Sequence, residues 1–243
     1  MANTKIAVFN VSTVVQDGEV KAAVAALQKQ VKNDFAPAWG INADMRFLPK
    51  GSKPAPKEWW LVVLDDSDQA GALGYHDLTK DGLPLGKVFA KTDKQYGENW
   101  ICTASHELLE MLADPNINLT VLEESDRGGR LYAYEVCDAC EAGKFGYKID
   151  GLLVSDFVYP AWFESFRAAG TTQFDQTKKI TRPFALLPGG YIGVYDILQG
   201  GGWTQMTAEK VNFRARPPVG SRRERRTVPM KRRIVSTADR IRK

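Results

Sequence analysis

One short segment, TASHELLEMLADP at residues 103–115, combines side chains that bind metals with side chains that move protons. His106 stands next to Glu107 and four residues ahead of Glu110. Residues four apart lie on the same side of an α-helix, so this imidazole and this carboxylate could hold one ion between them. Glu107 would lie about 100° round the helix from His106, close enough to hold a water beside that ion. The pattern is that of His-Glu-x-x-His zinc peptidases with glutamate in place of the second histidine.

A catalytic metal site usually has three protein ligands, and the third is expected from YAYEVCDACEA at residues 132–142. Glu135 is the first choice for this ligand and Asp138 the second. Glu107 is the expected general base, and His76, in the segment GYHD, could donate a hydrogen bond to an oxyanion. Two carboxylates and one imidazole neutralise Zn²⁺ and make a hard site, so Mn²⁺ and Ca²⁺ are alternatives to Zn²⁺.

The same residues also have an ordinary structural interpretation. Ile101, Leu108 and Met111 recur at helical spacing and predict an apolar face over residues 100–113. His106 and its neighbouring glutamates would then lie on a solvated face, where such residues are common. A histidine in a glycine-rich turn is likewise more often structural than catalytic.

A pair of cysteines, Cys137 and Cys140, brings a different enzyme class into consideration. Nucleobase deaminases bind zinc through His-x-Glu followed by Pro-Cys-x-x-Cys, and Cys137 follows His106 by 31 residues. Here the glutamate directly follows the histidine, no proline precedes Cys137, and Glu110 would have no role. A redox pair would have to open a helix after a strand. Buried thiols that pack as small apolar groups are the simpler interpretation.

Apolar periodicity in the first part of the chain predicts an α/β arrangement that would position the helix at 100–113. The runs KIAVFNV at 5–11 and WWLVVL at 59–64 predict strands, the second in the middle of a sheet. Apolar residues at helical spacing from Val20 to Phe35 predict a helix, which Pro37 and the glycine three residues later would end.

Further elements are predicted on both sides of the helix at 100–113. Strands are expected at MRFLP (45–49) and at Lys87–Lys91, the latter after a glycine-broken stretch. ESDRGGR at 124–130 predicts a polar loop, and the segment 146–163 predicts two strands joined by an Asp-Gly turn. One more strand is expected between the glycine turns at 189–203.

Composition and charge separate a body from a basic tail. The chain has 243 residues, 44% of them hydrophobic, which is enough for a sizeable core, and residues 1–213 are expected to form one domain. Residues 214–243 hold 12 Lys or Arg and two acids, a net charge of +10, so the preceding residues carry −6 of the total +4. Such a tail is expected to be flexible unless a partner orders it, and the expected partner is nucleic acid or an acidic protein subunit. A solvated, disordered tail without a partner is the ordinary alternative.

Targeting and redox signals in the sequence are few. No apolar stretch approaches the roughly 18–20 residues of a membrane span, and the first residues lack the features of a signal peptide. The expectation is therefore a protein that is cytoplasmic at synthesis and has no membrane partner. Three cysteines are too few for a secreted disulfide framework, so reduced thiols are expected.

Three segments, SHELLEMLADP, YEVCDACE and IDGLLVSDFVYPAWF, together resemble a group of bacterial and phage proteins with a zincin-like His-Glu-x-x-Glu signature. The resemblance covers roughly residues 59–165. It implies a zincin-like α/β (α+β) fold, in which a mixed sheet carries an active-site helix. It also implies His106, Glu110 and either Glu135 or Asp138 as metal ligands.

The resemblance also carries expectations about substrate and function. In zincins the strand before the metal helix lies at the sheet edge and pairs with an extended peptide, and LPLGKVFAKT occupies that place here. The expected function is metal-dependent hydrolysis of a peptide or protein substrate. The alternative is a non-catalytic protein of a phage or another larger assembly, with a relict metal site and a basic tail that binds its partner. A virion would then be its final location.

Overall fold

The computed structural model describes residues 3–69, 72–125, 128–199 and 202–209. These residues form three β-sheets and four α-helices, so the predicted α+β fold class is confirmed. The basic tail predicted at 214–243 lies outside the described residues. Within the described ranges, no helix has the length and apolar character to cross a membrane.

The first half of the chain alternates strands and helices. Its elements are β1 (Thr4–Asn10), α1 (Asp17–Gln30), α2 (Ala36–Trp39), β2 (Ala43–Leu48), β3 (Trp59–Leu64), β4 (Gly74–Leu78), β5 (Pro84–Phe89), α3 (Ala90–Tyr96) and α4 (Trp100–Ala113). The second half is made of short strands and turns. Its strands are β6 (Thr120–Ser125), β7 (Gly128–Ala133), β8 (Tyr147–Ile149), β9 (Leu152–Val154), β10 (Tyr191–Asp196) and β11 (Trp203–Thr207).

The main sheet has five strands in the order β2-β1-β3-β5-β4. The first four are parallel, and β4 joins the end of the sheet antiparallel to β5. The apolar strand β3 lies in the middle, as its sequence predicted. One face of the sheet packs against helices through residues such as Val8 and Leu61, and the alternate residues, such as Phe9 and Val62, form a second apolar cluster on the opposite face.

The first helix forms where apolar spacing predicted it but ends later. Val20, Val24 and Leu27 are buried along one face of α1. The helical turns continue past Pro37. A π-helical turn at Val31–Phe35 leads into α2, and the proline lies in the first turn of α2, where no N–H is needed. Gly40 ends α2 in a left-handed conformation with φ of 69°.

The segment around Lys87, which was expected at the edge of the sheet, forms an interior strand. β5 ends at Phe89, and all six of its residues are buried between β3 and β4. The last strand of the sheet is β4, within the stretch that was predicted to be broken by glycines. Gly74 and the polar residues His76 and Asp77 hide the strand pattern there, because His76 is buried against carboxylates of the site and Tyr75 alone packs in the apolar cluster on the other face.

The second half forms an antiparallel sheet in the order β11-β10-β7-β6. The polar loop predicted at 124–130 is wrong for its described residues, because they belong to β6 and β7, which pair with each other. The prediction for 146–163 is confirmed: β8 and β9 pair across a turn in which Asp150 and Gly151 have φ of 51° and 82°. The strand predicted within 189–203 is β10.

The site helix α4 lies between the main sheet and the second half of the chain, in contact with β4, β5 and β9. Leu108, Leu109 and Met111 are fully buried, each contributing about 1.5–3 kcal/mol through the burial of its side chain. A buried polar link also holds the helix: the Ser105 hydroxyl lies 2.7 Å from Gln30 Oε1 and accepts a hydrogen bond from Ser155 N at 3.0 Å.

Two carboxyl groups, those of Asp156 and Asp175, are fully buried near the end of β9. Burial and the neighbouring Asp175 raise the pKa of Asp156 to about 7. The folded protein therefore binds a proton that the unfolded chain releases at about pH 4, so the free energy of unfolding falls as pH rises from about 4 to 7.

We expect Asp156→Asn to reduce the difference in the free energy of unfolding between pH 5 and pH 8 by about 1–3 kcal/mol, since one pKa unit corresponds to about 1.4 kcal/mol. The measurement is urea unfolding at pH 5 and pH 8. As a control, Asp81→Asn removes an exposed carboxylate and should keep the wild-type slope. Equal slopes for Asp156→Asn and wild type would contradict this account of the pair.

Candidate metal centre

The helix that carries the predicted motif is almost entirely buried. The Asn99 side chain caps it by accepting hydrogen bonds from Ile101 N at 2.9 Å and from the next amide. Glu107 is 6% exposed and Glu110 4%, so the solvated-face interpretation of these glutamates is wrong. Buried carboxylates of this kind need a proton, a cation or several hydrogen bonds to offset the loss of hydration.

His106 faces two of the predicted carboxylate ligands. His106 Nε2 lies 3.2 Å from Glu110 Oε2 and 3.3 Å from Asp138 Oδ1. Hydrogen bonds between an imidazolium and a carboxylate are shorter, about 2.7–2.9 Å. Donor atoms bound to one tetrahedral ion at about 2.0–2.1 Å lie about 3.3–3.4 Å from each other. The two distances from His106 Nε2 are therefore close to those between neighbouring donors of one ion.

Neighbouring groups hold the two carboxylates in place. Glu110 Oε1 accepts a hydrogen bond from Cys137 N at 3.1 Å, which leaves Oε2 for an ion. Tyr191 donates a hydrogen bond to Asp138. Outer partners of this kind fix the orientation of metal ligands. Gly190 lets the chain run directly against the carbonyl of Ala139, where a Cβ would not fit, and so brings Tyr191 to the site.

The other two predicted residues lie on the far side of Glu110. His76 Nδ1 is 3.7 Å from Glu107 Oε2 and 3.7 Å from Glu110 Oε2. Its other nitrogen, Nε2, lies 3.8 Å from Glu135 Oε2. Asp138 is therefore, with Glu110, one of two carboxylates that face His106, and we now prefer it to Glu135 as the third ligand. Sequence spacing could not order them, because three residues separate them in a turn whose path is set by distant contacts.

A cavity of about 360 Å³ opens beside the motif. Its walls include His106, Glu107, Thr103, Glu141 and Tyr191. His76 is 2% exposed and does not line this cavity, so its position favours a role within the carboxylate cluster over that of an oxyanion donor. Glu141 lies in the segment from which the third ligand was expected, whereas Thr103 and Tyr191 were not predicted as members of the site. For Thr103 the signal was its spacing, since it lies one helical turn before Glu107 and so on the same side of α4.

Burial and mutual repulsion make the cluster hold protons when no ion is bound. Burial raises the pKa of Glu110 to about 8, with Asp138 and Glu135 adding to the effect and His106 opposing it. Burial would lower the pKa of His106, but Glu110 and Asp138 outweigh it and raise that pKa well above its usual value. Since metal binding requires neutral imidazole and ionised carboxylate, an ion must displace these protons, and its affinity rises with pH.

The cysteines do not assemble a deaminase site in the described part of the chain. Cys137 Sγ lies near His106 and Glu110, with the donor atoms within 4.8 Å of one another, but Cys140 joins no such group there. Burial and then the charge of Glu110 raise the pKa of the Cys137 thiol well above its usual value. Asp138 stays the proposed third ligand, because its Oδ1 lies 3.3 Å from His106 Nε2.

The motif helix approaches β4 closely because residue 74 is glycine. A Cβ built there would lie 2.8 Å from Glu107 Oε1 and 2.8 Å from Thr103 Cγ2, distances that real Cβ contacts do not reach. We expect Gly74→Ala to displace Glu107, to destabilise the fold by about 1–3 kcal/mol and to weaken metal binding. Chemical unfolding and a Zn²⁺ titration measure the two effects.

Gly18→Ala is the matched control, because a Cβ at this exposed position in α1 meets nothing within 4 Å. Alanine there should leave metal binding unchanged and stabilise the helix by up to about 1 kcal/mol. If Gly74→Ala behaves like Gly18→Ala in both measurements, the close approach of α4 to β4 is not needed for the site.

No protein-family model, curated protein or solved structure matches this chain. The site therefore rests on its own geometry: two histidines and four carboxylates, from α4, β4 and the turn after β7, gathered into one buried cluster beside a cavity.

Proposed function

We propose that this protein is a metal-dependent hydrolase of the zincin-like type, with Zn²⁺ as the first expected ion. His106, Glu110 and Asp138 are the proposed ligands, and Glu107 is the proposed general base. The observation that carries the proposal is the spacing of 3.2 and 3.3 Å from His106 Nε2 to the two carboxylates, at the wall of a cavity that could admit substrate.

The positions of the residues suggest how the reaction would run. A Zn²⁺ ion held by these ligands would polarise the scissile bond and lower the pKa of a nearby water. Glu107 lines the same cavity, one residue from His106, so its carboxylate can take a proton from water and pass it to the leaving group. Tyr191 would hold Asp138 in its ligating orientation.

A peptide is the proposed substrate class because the last strand of the main sheet borders the cavity. Leu73 and Gly74, at the start of β4, belong to the cavity wall. An extended peptide can add to the outer side of such a strand and lie across the site. This role passes from the segment around Lys87 to β4, because β5 lies inside the sheet.

The proposal is tested by stripping the purified protein with a chelator, reloading it with Zn²⁺, Mn²⁺ or Ca²⁺, and incubating it with a mixed peptide library. Mass spectrometry identifies the cleaved bonds. We expect cleavage by a reloaded form and none by the stripped form. Identical peptide patterns for the loaded and stripped protein would contradict a peptidase and favour the non-catalytic assembly protein.

We also propose that residues 214–243 attach the protein to an anionic partner, either nucleic acid or an acidic subunit of a larger assembly. A net charge of +10 on 30 residues supports this, because phosphate or carboxylate arrays attract it strongly. A chain that ends at Phe213 should keep its melting temperature and lose salt-sensitive binding to duplex DNA or to a polyglutamate. Equal binding by both chains at low salt would contradict the role of the tail.

A further inference from the structure

The buried cluster contains more ligand atoms than one ion requires. Besides the His106 group, a second set of donors consists of His76 Nδ1, Glu107 and Glu110, and these atoms lie within 4.8 Å of one another. Glu110 belongs to both sets. Its Oε2 lies 3.2 Å from His106 Nε2 and 3.7 Å from His76 Nδ1, while Oε1 accepts the hydrogen bond from Cys137 N.

We propose that the cluster binds a second divalent cation between His76, Glu107 and Glu110, with Glu110 as the bridge between two ions. The inference rests on the proposed function, since it takes the ion at His106 as the first of the pair. Hydrolases with two ions about 3.5–4 Å apart use such a shared ligand to hold both.

The distances in the second set fit an ion. Donors bound at about 2.1 Å with angles between tetrahedral and trigonal lie about 3.4–3.6 Å apart. His76 Nδ1 lies 3.7 Å from both Glu107 Oε2 and Glu110 Oε2, within a small adjustment of this range. The wider spacing makes this the weaker of the two positions, so it fills second.

Glu135 supports the second position through the far nitrogen of His76. It lies 3.8 Å from His76 Nε2, on the opposite side of the ring from the proposed ion. At this distance the carboxylate makes an electrostatic contact with the ring, and its negative charge makes the near nitrogen a better ligand. This gives Glu135 a positioning role, which its place in the sequence did not reveal.

The charge of the cluster is also suited to two ions. Its four carboxylates are each no more than 8% exposed, namely Glu107, Glu110, Glu135 and Asp138. One divalent cation balances half of their negative charge, and two balance all of it. With one ion bound, protons must balance the other half, and the second ion takes their place.

Glu107 can serve both the second ion and the proposed proton transfer because its two oxygens face different ways. Oε2 faces His76, whereas Oε1 lies against Gly74 at the wall of the cavity. A ligand bond through Oε2 leaves Oε1 available to a water in the cavity.

The test is equilibrium dialysis of the full chain against increasing Zn²⁺, with bound ions counted by mass spectrometry. We expect two steps in wild type, to one and then two ions per chain. His76→Ala should stop at one, and the exposed-site control Asp81→Ala should reach two. A wild-type plateau at one ion overturns the second position and leaves the proposed function intact. No bound ion at all overturns both, and the wild-type count decides even if His76→Ala does not fold.

Discussion

Replacing Glu107 by glutamine should leave the first metal ion in place and reduce hydrolysis by about 10²–10⁴-fold, the usual contribution of a general base. The amide keeps the size of the side chain but has no basic oxygen. Glu107 lines the cavity next to His106 and is not among the three proposed ligands of the first ion. The measurement is the cleavage rate of a peptide identified in the library experiment, with metal content determined on the same sample.

Glu141→Gln is the matched control for this prediction. Glu141 is another carboxylate of the cavity wall, so the same chemical change is made in the same space. Its hydrolysis rate should stay within a few-fold of wild type. If Glu107→Gln also hydrolyses at the wild-type rate, Glu107 is not the general base, and the mechanism proposed above is wrong.

Replacing His106 by alanine should remove the ion that survives dialysis, because the imidazole is the only nitrogen ligand proposed for the first position. Wild type at a Zn²⁺ concentration 100 times the Kd should gain about 2.7 kcal/mol of stability, and the variant should lose this gain. Thermal unfolding with and without Zn²⁺ measures the effect.

A variant with both Cys137→Ser and Cys140→Ser separates this account from the deaminase alternative. A deaminase would bind its zinc through these thiols and lose it in the variant. In the structure Glu110 accepts a hydrogen bond from the backbone N–H of Cys137. Serine provides the same N–H, so the first ion should be retained. Retention in the double serine variant together with loss in His106→Ala supports the zincin-like ligand set.

The parts of the fold that local sequence determines were predictable. Helix α4 occupies Trp100–Ala113, the predicted span, because its apolar spacing and its cap are properties of neighbouring residues. The Asp-Gly turn between β8 and β9 was predictable for the same reason. Strand β4 was not, because its pattern of glycine and polar residues makes sense only when α4 and its carboxylates cover it.

The site was predictable in its members but not in its arrangement. The motif identified His106, Glu107 and Glu110, since helical spacing alone places them. Which downstream carboxylate faces His106 depends on the turn after β7 and on Tyr191, which comes more than fifty residues later in the chain. The burial of His76 among carboxylates depends on the antiparallel pairing of β4 with β5, and no spacing rule reports that.

Whether the protein is a metalloprotein is decided by the metal content of the purified wild-type chain, measured by mass spectrometry after dialysis against metal-free buffer. We expect about one transition ion per chain, restored to the same level when a chelator-stripped sample is reloaded with Zn²⁺ and dialysed again. A chain that holds no ion after either treatment would contradict this expectation, and the buried carboxylates around Glu110 would then be held by protons and imidazolium groups alone.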